Sequence, residues 1–248
     1  MSVARSADRR RLGIVLGALV LTALTGCETT QQKSARIEVQ DDRVLAAQQP
    51  VRVVRADSEI SVLGVAIVRG SGHVAIAVRL RNDGARPLSD LPISVGVRTR
   101  SGRTTYLNGT ANLPYFETHI GAVAPGTPTT WVFTGRGAAA PAGAPFALVG
   151  APAFTVAGTP ATLPDISAAL DTARAGDDVS ATITNHSGIP QYTLAVYASA
   201  RAGGRVLAAG QAAVAQLDPG ASATVAIPLV GDRGASSVQL DAPPTLLR

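Results

Sequence analysis

Two stretches of this chain carry the same punctuation in the same order, and that constrains the fold more than any single motif. In the first, Glu59-Ile60-Ser61 leads to HVAIAVRLRNDG, which ends at Gly84. Then come Ile93–Val97 (ISVGV), Gly102-Arg103, Pro125-Gly126, Trp131–Phe133 (WVF) and a VGAP ending at Pro152. In the second, Asp165-Ile166-Ser167 leads to DVSATITNHSG, which ends at Gly188. Then come Leu194–Ala198 (LAVYA), Gly204-Arg205, Pro219-Gly220, Val225–Leu229 (VAIPL) and an LDAP ending at Pro243. Landmarks shared in this order mean two copies of one unit of about 90 to 105 residues, so the fold assigned to one must serve both.

The unit is a β unit. Runs such as VAIAVRL (Val74–Leu80) and ISVGVRT (Ile93–Thr99) alternate, are rich in Val and Ile, and are bounded by Gly, Pro, Asn and Asp, which is the strand signal. A weak helical candidate at Ile166–Ala175 is better explained by the repeat, whose second copy opens at Asp165-Ile166-Ser167. Each copy holds about seven short strands with turn signals every 8 to 12 residues, the pattern of a two-sheet sandwich. Asn82-Asp83-Gly84 and Asn185–Gly188 supply turn residues that tolerate positive φ, and Pro125-Gly126 and Pro219-Gly220 fit the centre of a type II turn. The expected fold class is all-β: two tandem immunoglobulin-like β-sandwich domains after a signal peptide and a polar tether. Their expected limits are residues 51–156 and 157–248, with the boundary in the Gly-, Pro- and Thr-rich segment Phe154–Pro164.

The second copy resembles a known group. An N-x-x-G turn after a strand, an aliphatic-Tyr pair, Gly203-Gly204-Arg205-Val206 and Leu217-Asp218-Pro219-Gly220 are similar to the small bacterial immunoglobulin-like domains called FxLYD domains. LAVYA stands at the name motif, keeping Tyr197 but placing Leu194 at the Phe and Ala198 at the Asp; ISVGV in the first copy lacks the tyrosine. The resemblance covers about 65 residues of the second copy. It implies an extracytoplasmic β-sandwich with no established chemistry of its own.

The one cysteine, Cys27, sits in Leu24-Thr25-Gly26-Cys27. Upstream, Arg9, Arg10 and Arg11 form a basic head, and Leu12–Leu24 is an apolar run of 13 residues. A spanning helix needs roughly 20 apolar residues, so residues 1–26 read as a signal peptide. A large apolar residue, two small ones and a cysteine resemble the lipobox of bacterial lipoproteins. That resemblance implies a diacylglycerol thioether on Cys27, cleavage before it, and localisation at the extracytoplasmic face of a membrane. Two acyl chains at about 0.8 kcal/mol per buried CH₂ would give a durable anchor. Residues 27–50 then form the lipidated cysteine and a polar, glutamine-rich tether.

Charge excludes one class of partner. The formal net charge is +5, but four arginines and Asp8 lie in the signal segment, and their removal would leave +2. No clustered Lys/Arg run follows, so nucleic acid is not expected as a partner. A single cysteine rules out intrachain disulfides and thiolate metal sites.

A hydrolase would need a nucleophile, a base and an orienting group. The chain has three histidines (His73, His119 and His186) and neither a G-x-S-x-G elbow nor H-E-x-x-H. His73 and His186 fall beside predicted turns, and Asp177-Asp178 at a strand entrance reads as solvated. We therefore expect no enzymatic activity, no cofactor and no metal. Asn108-Gly109-Thr110 matches a glycosylation pattern that a bacterial lipoprotein would not use.

The two copies differ in one place. Arg103 to Pro125 spans 22 positions, whereas Arg205 to Pro219 spans 14. The first copy thus carries eight extra residues in a region that holds Tyr106, Tyr115, Phe116 and His119, in a chain with only four Phe, four Tyr and one Trp. Aromatics on a loop insertion make a candidate partner-binding edge, because they supply contact area at small entropic cost. The alternative is a plug over the open end of the sandwich, and Trp131 reads as core. The expected function is a non-enzymatic, lipid-anchored envelope protein whose domains meet an envelope protein or glycan. A solute- or glycan-binding lipoprotein using the interdomain cleft is the alternative.

Overall fold

A computed structural model describes residues 50–70, 72–136, 142–152, 162–171, 178–232 and 237–246, with Ile37 and Gly234 as single positions. The segment read as a signal peptide, Cys27, almost all of the expected tether, Asp177 and the expected 156/157 boundary lie outside the described residues. From Pro50 onward the described chain is strands and loops with one 3₁₀ turn, and every strand pairing is antiparallel.

The first half contains β1 (Ile60–Gly70), β2 (His73–Asn82), β3 (Leu91–Arg98), β4 (Thr104–Tyr106), the 3₁₀ turn Tyr115–Glu117, β5 (His119–Ile120), β6 (Pro128–Arg136) and β7 (Ala144–Val149). The second contains β8 (Ile166–Leu170), β9 (Asp178–Asn185), β10 (Gln191–Ala202), β11 (Arg205–Leu217), β12 (Ser222–Gly231) and β13 (Ser237–Asp241). Of the segment with weak helical periodicity, Ile166–Leu170 is strand β8, and its last four residues lie outside the described residues.

The sequence repeat is matched by a topological one. In the first half β1-β2-β6 form one sheet, and β3 carries β7 on one edge and β4 and β5 on the other. In the second half β8-β9-β12 pair in the same order, and β10 lies between β13 and β11. A short β11–β12 pairing at Ala208–Gly210 additionally joins those two sheets.

The repeat extends to single atoms. Asn82 and Asn185, both fully buried, end equivalent strands. The Asn82 amide donates to the carbonyls of Arg86 (2.7 Å) and Val123 (3.1 Å), and that of Asn185 to Ile189 (2.9 Å) and Leu217 (3.2 Å). Each Oδ1 accepts the amide two residues on, from Gly84 (2.9 Å) and Ser187 (3.0 Å). These turns therefore close through the asparagine side chain, and positive φ is not needed there. Positive φ is used at Gly126 (69°) and Gly220 (72°), as the Pro-Gly pairs require.

The halves share buried surface. On β2, Val74, Ile76, Val78 and Leu80 face β3, while Ala75 and Ala77 are buried on the opposite face. Those alanines join a cluster with Val132 of β6 and with Ala195, Tyr197 and Ala209 of β10 and β11. Strand β10 is also buried on both faces, its Leu194, Val196 and Ala198 belonging to the second half's own core with Ile183, Leu217 and Ile227. The sequence points to a separate core for each domain; instead the first core runs across the seam, because small side chains on β2, β10 and β11 let two sheets pack closely.

Candidate functional site

The eight-residue insertion splits one strand into two. Where the second half has the continuous thirteen-residue β11, the first has three-residue β4 and two-residue β5, with residues 107–118 between them. The break would strand backbone groups of β3, and Asn108 replaces the missing partner. Its Oδ1 accepts the Val95 amide (2.9 Å), and its Nδ2 donates to the carbonyls of Ile93 (2.8 Å) and Glu117 (3.1 Å). Asn108 is fully buried, so the glycosylation pattern around it is coincidental.

The 3₁₀ turn sits against the seam. The Phe116 carbonyl accepts two hydrogen bonds, one from Trp131 Nε1 of the first half (3.0 Å) and one from the Tyr197 hydroxyl of the second (3.3 Å). The Trp131 and Tyr197 rings lie 6.3 Å apart, and both are buried. Glu117 Oε1 accepts from Gln211 Nε2 (2.9 Å), which also donates to Thr134 Oγ1 (3.2 Å).

All four candidate aromatic positions are half-buried. Tyr115 stacks on His119 with centroids 4.0 Å apart and planes 3° from parallel, and His119 Nδ1 lies 3.0 Å from Thr118 Oγ1. Phe116 packs against the shared core. Tyr106 is placed apart from these three, edge-on to Phe146 at 5.5 Å with the Arg52 guanidinium 4.8 Å from its ring centre. His73 and His186 are exposed, the latter 2.8 Å from Ser167 Oγ. Gln211 and Glu117 were not singled out from sequence, because neither belongs to a chemical motif, and Tyr197 entered only as the tyrosine kept in the resemblance.

Burial pushes the Glu117 carboxyl up from 4.5 to about 7, with the Gln211 hydrogen bond opposing. Burial, then the nearby Glu117 charge, holds the Tyr197 phenol well above its ordinary range. Asp241 is also shifted upward by burial, against hydrogen bonds from Thr130 and Gln239 and the charge of Arg201. The folded Glu117 binds its proton more tightly than the unfolded chain does, so stability is complete below about 4.5 and falls as pH rises through about 7. Because the side chain is only half-buried, solvent screening reduces the loss to about 1–2 kcal/mol. Denaturant unfolding at about pH 5 and about pH 8 measures it. Glu117→Gln is expected to raise stability at the higher pH and leave the lower nearly unchanged.

On the β1 side of the seam lies a groove of about 420 Å³. It is lined by Leu63–Ile67 of β1, Ala77 and Arg79 of β2, and Arg201, Gly204, Arg205 and Val206 of the β10–β11 hairpin. Gly203 and Gly204 make that hairpin's two-residue turn at φ 54° and 79°. A bulge between Val62 and Gly64 leaves Leu63 44% exposed at the rim.

The chain is thus an all-β protein of antiparallel sheets. Among the described residues, no three His, Cys, Asp or Glu side chains gather to hold a metal ion, and no helix is long and apolar enough to cross a membrane. No protein-family model matches the chain, and no curated protein matches it. Among solved structures it is similar to the C-terminal globular domain of an oligosaccharyltransferase from Pyrococcus abyssi, at 7% identity, covering 81% of this chain and 50% of that one, with a TM-score of 0.24. The chain spans about half of that structure, and a superposition this loose says nothing about activity.

Proposed function

We propose that this chain is a non-enzymatic, lipid-anchored envelope protein that carries its two immunoglobulin-like sandwiches as one body at the extracytoplasmic face of a membrane. The lipobox Leu24-Thr25-Gly26-Cys27 behind a basic head and a short apolar run carries the reading. The internal hydrogen bonds of Glu117 and Asp241 agree with it, since they commit those carboxyls to structure. Partners are an envelope protein or glycan, met by the surface the seam holds in place.

Cell fractionation tests the anchor. Wild-type protein is expected in the membrane fraction and resistant to high salt, while Cys27→Ser is expected to be released or retained as uncleaved precursor. Equal, salt-resistant membrane association of fully processed protein without Cys27 would overturn the reading. The groove at the seam favours a second reading, ligand capture at the interdomain cleft.

A further inference from the structure

Three guanidinium groups face one groove, and no carboxylate is among its lining residues. Arg201 is electrostatically shared with Asp241. Arg79 and Arg205 are exposed, and among the described residues neither has an acidic partner. Gly64, Ala66 and Ala77 share one face of the β1–β2 ladder with Arg79 and make the floor, and Leu63 and Val206 add aliphatic surface; Val65 and Ile67, on the other face, line the groove through their backbone. Gly64 pairs with Arg79 across the β1–β2 ladder, and a Cβ placed on it would meet nothing within 4 Å. The space above the floor is therefore open at its centre.

Lining chemistry narrows the occupant. No aromatic platform and no Asn, Asp, Gln or Glu lines the groove, so it lacks the stacking faces and paired acceptors that would hold a neutral sugar. A guanidinium fork matches the oxygens of a carboxylate or phosphate and is less strongly hydrated than an ammonium, so it stays effective beside apolar surface. The volume falls within the range of small-molecule sites, roughly 300 to 1,000 Å³.

We infer that this groove binds an anionic amphiphile, an oxyanion head on a short aliphatic chain, with Arg79 and Arg205 taking the head and Gly64, Ala66 and Ala77 flooring the chain. This rests on the ligand-capture reading above. Two sources present the same chemistry, a free amphiphile and the headgroup region of an anionic lipid.

The test uses the full chain in phosphatidylcholine nanodiscs, titrated with hexyl phosphate and followed by calorimetry. Hexyl phosphate is expected to bind at least tenfold more tightly than either inorganic phosphate, which lacks the chain, or hexyl glucoside, which lacks the charge. Arg79→Gln with Arg205→Gln is expected to weaken it at least tenfold. Gly64→Leu fills the floor at a position with room for a side chain, so binding is expected to vanish while the melting temperature holds. Should Gly64→Leu fail to fold, the exposed arginine pair still decides. Weakened binding in nanodiscs containing phosphatidylglycerol assigns the lipid headgroup as occupant, and unchanged binding assigns the free amphiphile. If inorganic phosphate or hexyl glucoside binds as tightly and is lost with Gly64→Leu, the amphiphile class is wrong but ligand capture stands. If no probe gives binding sensitive to Gly64 or the arginines, both fall.

Discussion

Replacing Tyr197 by Ala is expected to cost about 3–5 kcal/mol, the range for deleting a large buried aromatic side chain, and to weaken both halves together. The ring is 1% exposed and packs in a cluster with residues of β2, β3 and β6, although it belongs to β10 of the other half. Its hydroxyl donates to the Phe116 carbonyl, which also accepts from Trp131. Tyr197→Phe keeps the packing and removes one hydrogen bond, so about 1 kcal/mol is expected. Scanning calorimetry separates the alternatives. A shared core predicts one unfolding transition for the two halves, moved as a whole by the alanine variant. Two transitions, of which only the second moves, would mean that the halves are energetically independent and the seam is merely contact.

The repeat was legible because turn chemistry is local. Asn at a strand end and Pro-Gly at a turn centre act within a few residues, so their recurrence tracked the recurrence of β2, β3 and β6 in β9, β10 and β12. The seam was harder to see. VAIAV at Val74–Val78 passes for an ordinary alternating strand, but it alternates large with small and contains no polar position. LAVYA at Leu194–Ala198 likewise has no charged or amide position, although Val196-Tyr197 breaks the alternation of size. A strand with one face in water places polar residues on that face, and one buried on both faces has no reason to. The missing polar face was thus the available signal for a sheet packed on two sides.

Site residues divide along the same line. The insertion was visible as a difference in spacing between copies, and three of its four singled-out residues, Tyr115, Phe116 and His119, do gather around the 3₁₀ turn. What the turn is docked against was not visible, since Tyr197 and Gln211 lie 81 and 94 positions from their partners in it. The groove was hidden for a similar reason. Arg79, Arg201 and Arg205 come from opposite halves and from no motif, and only the packing of β1 and β2 beside the β10–β11 hairpin brings them to one place.

Asn108→Ala is expected to cost about 3 kcal/mol, far more than a loop substitution away from such contacts, which usually falls within about 0.5 kcal/mol. The loss is electrostatic. Removing the amide leaves the Val95 N–H and the Ile93 carbonyl, both on a buried strand, without the partner that replaces a backbone neighbour at the β4/β5 break. Each unsatisfied buried group costs about 1–3 kcal/mol, and neither can turn to solvent, because Ile93 and Val95 are fully buried. The third bond, to the Glu117 carbonyl, fixes the turn that meets Tyr197, so the damage should pass to the seam. Thr110→Ala, two residues away at an exposed position, is the matched control and should be nearly silent. Urea unfolding of the two variants is decisive. A strong loss for Asn108→Ala with a nearly silent Thr110→Ala makes the insertion part of the folded frame, held by one side chain. Losses of similar small size would mean the insertion is an appended loop whose hydrogen bonds add little to stability.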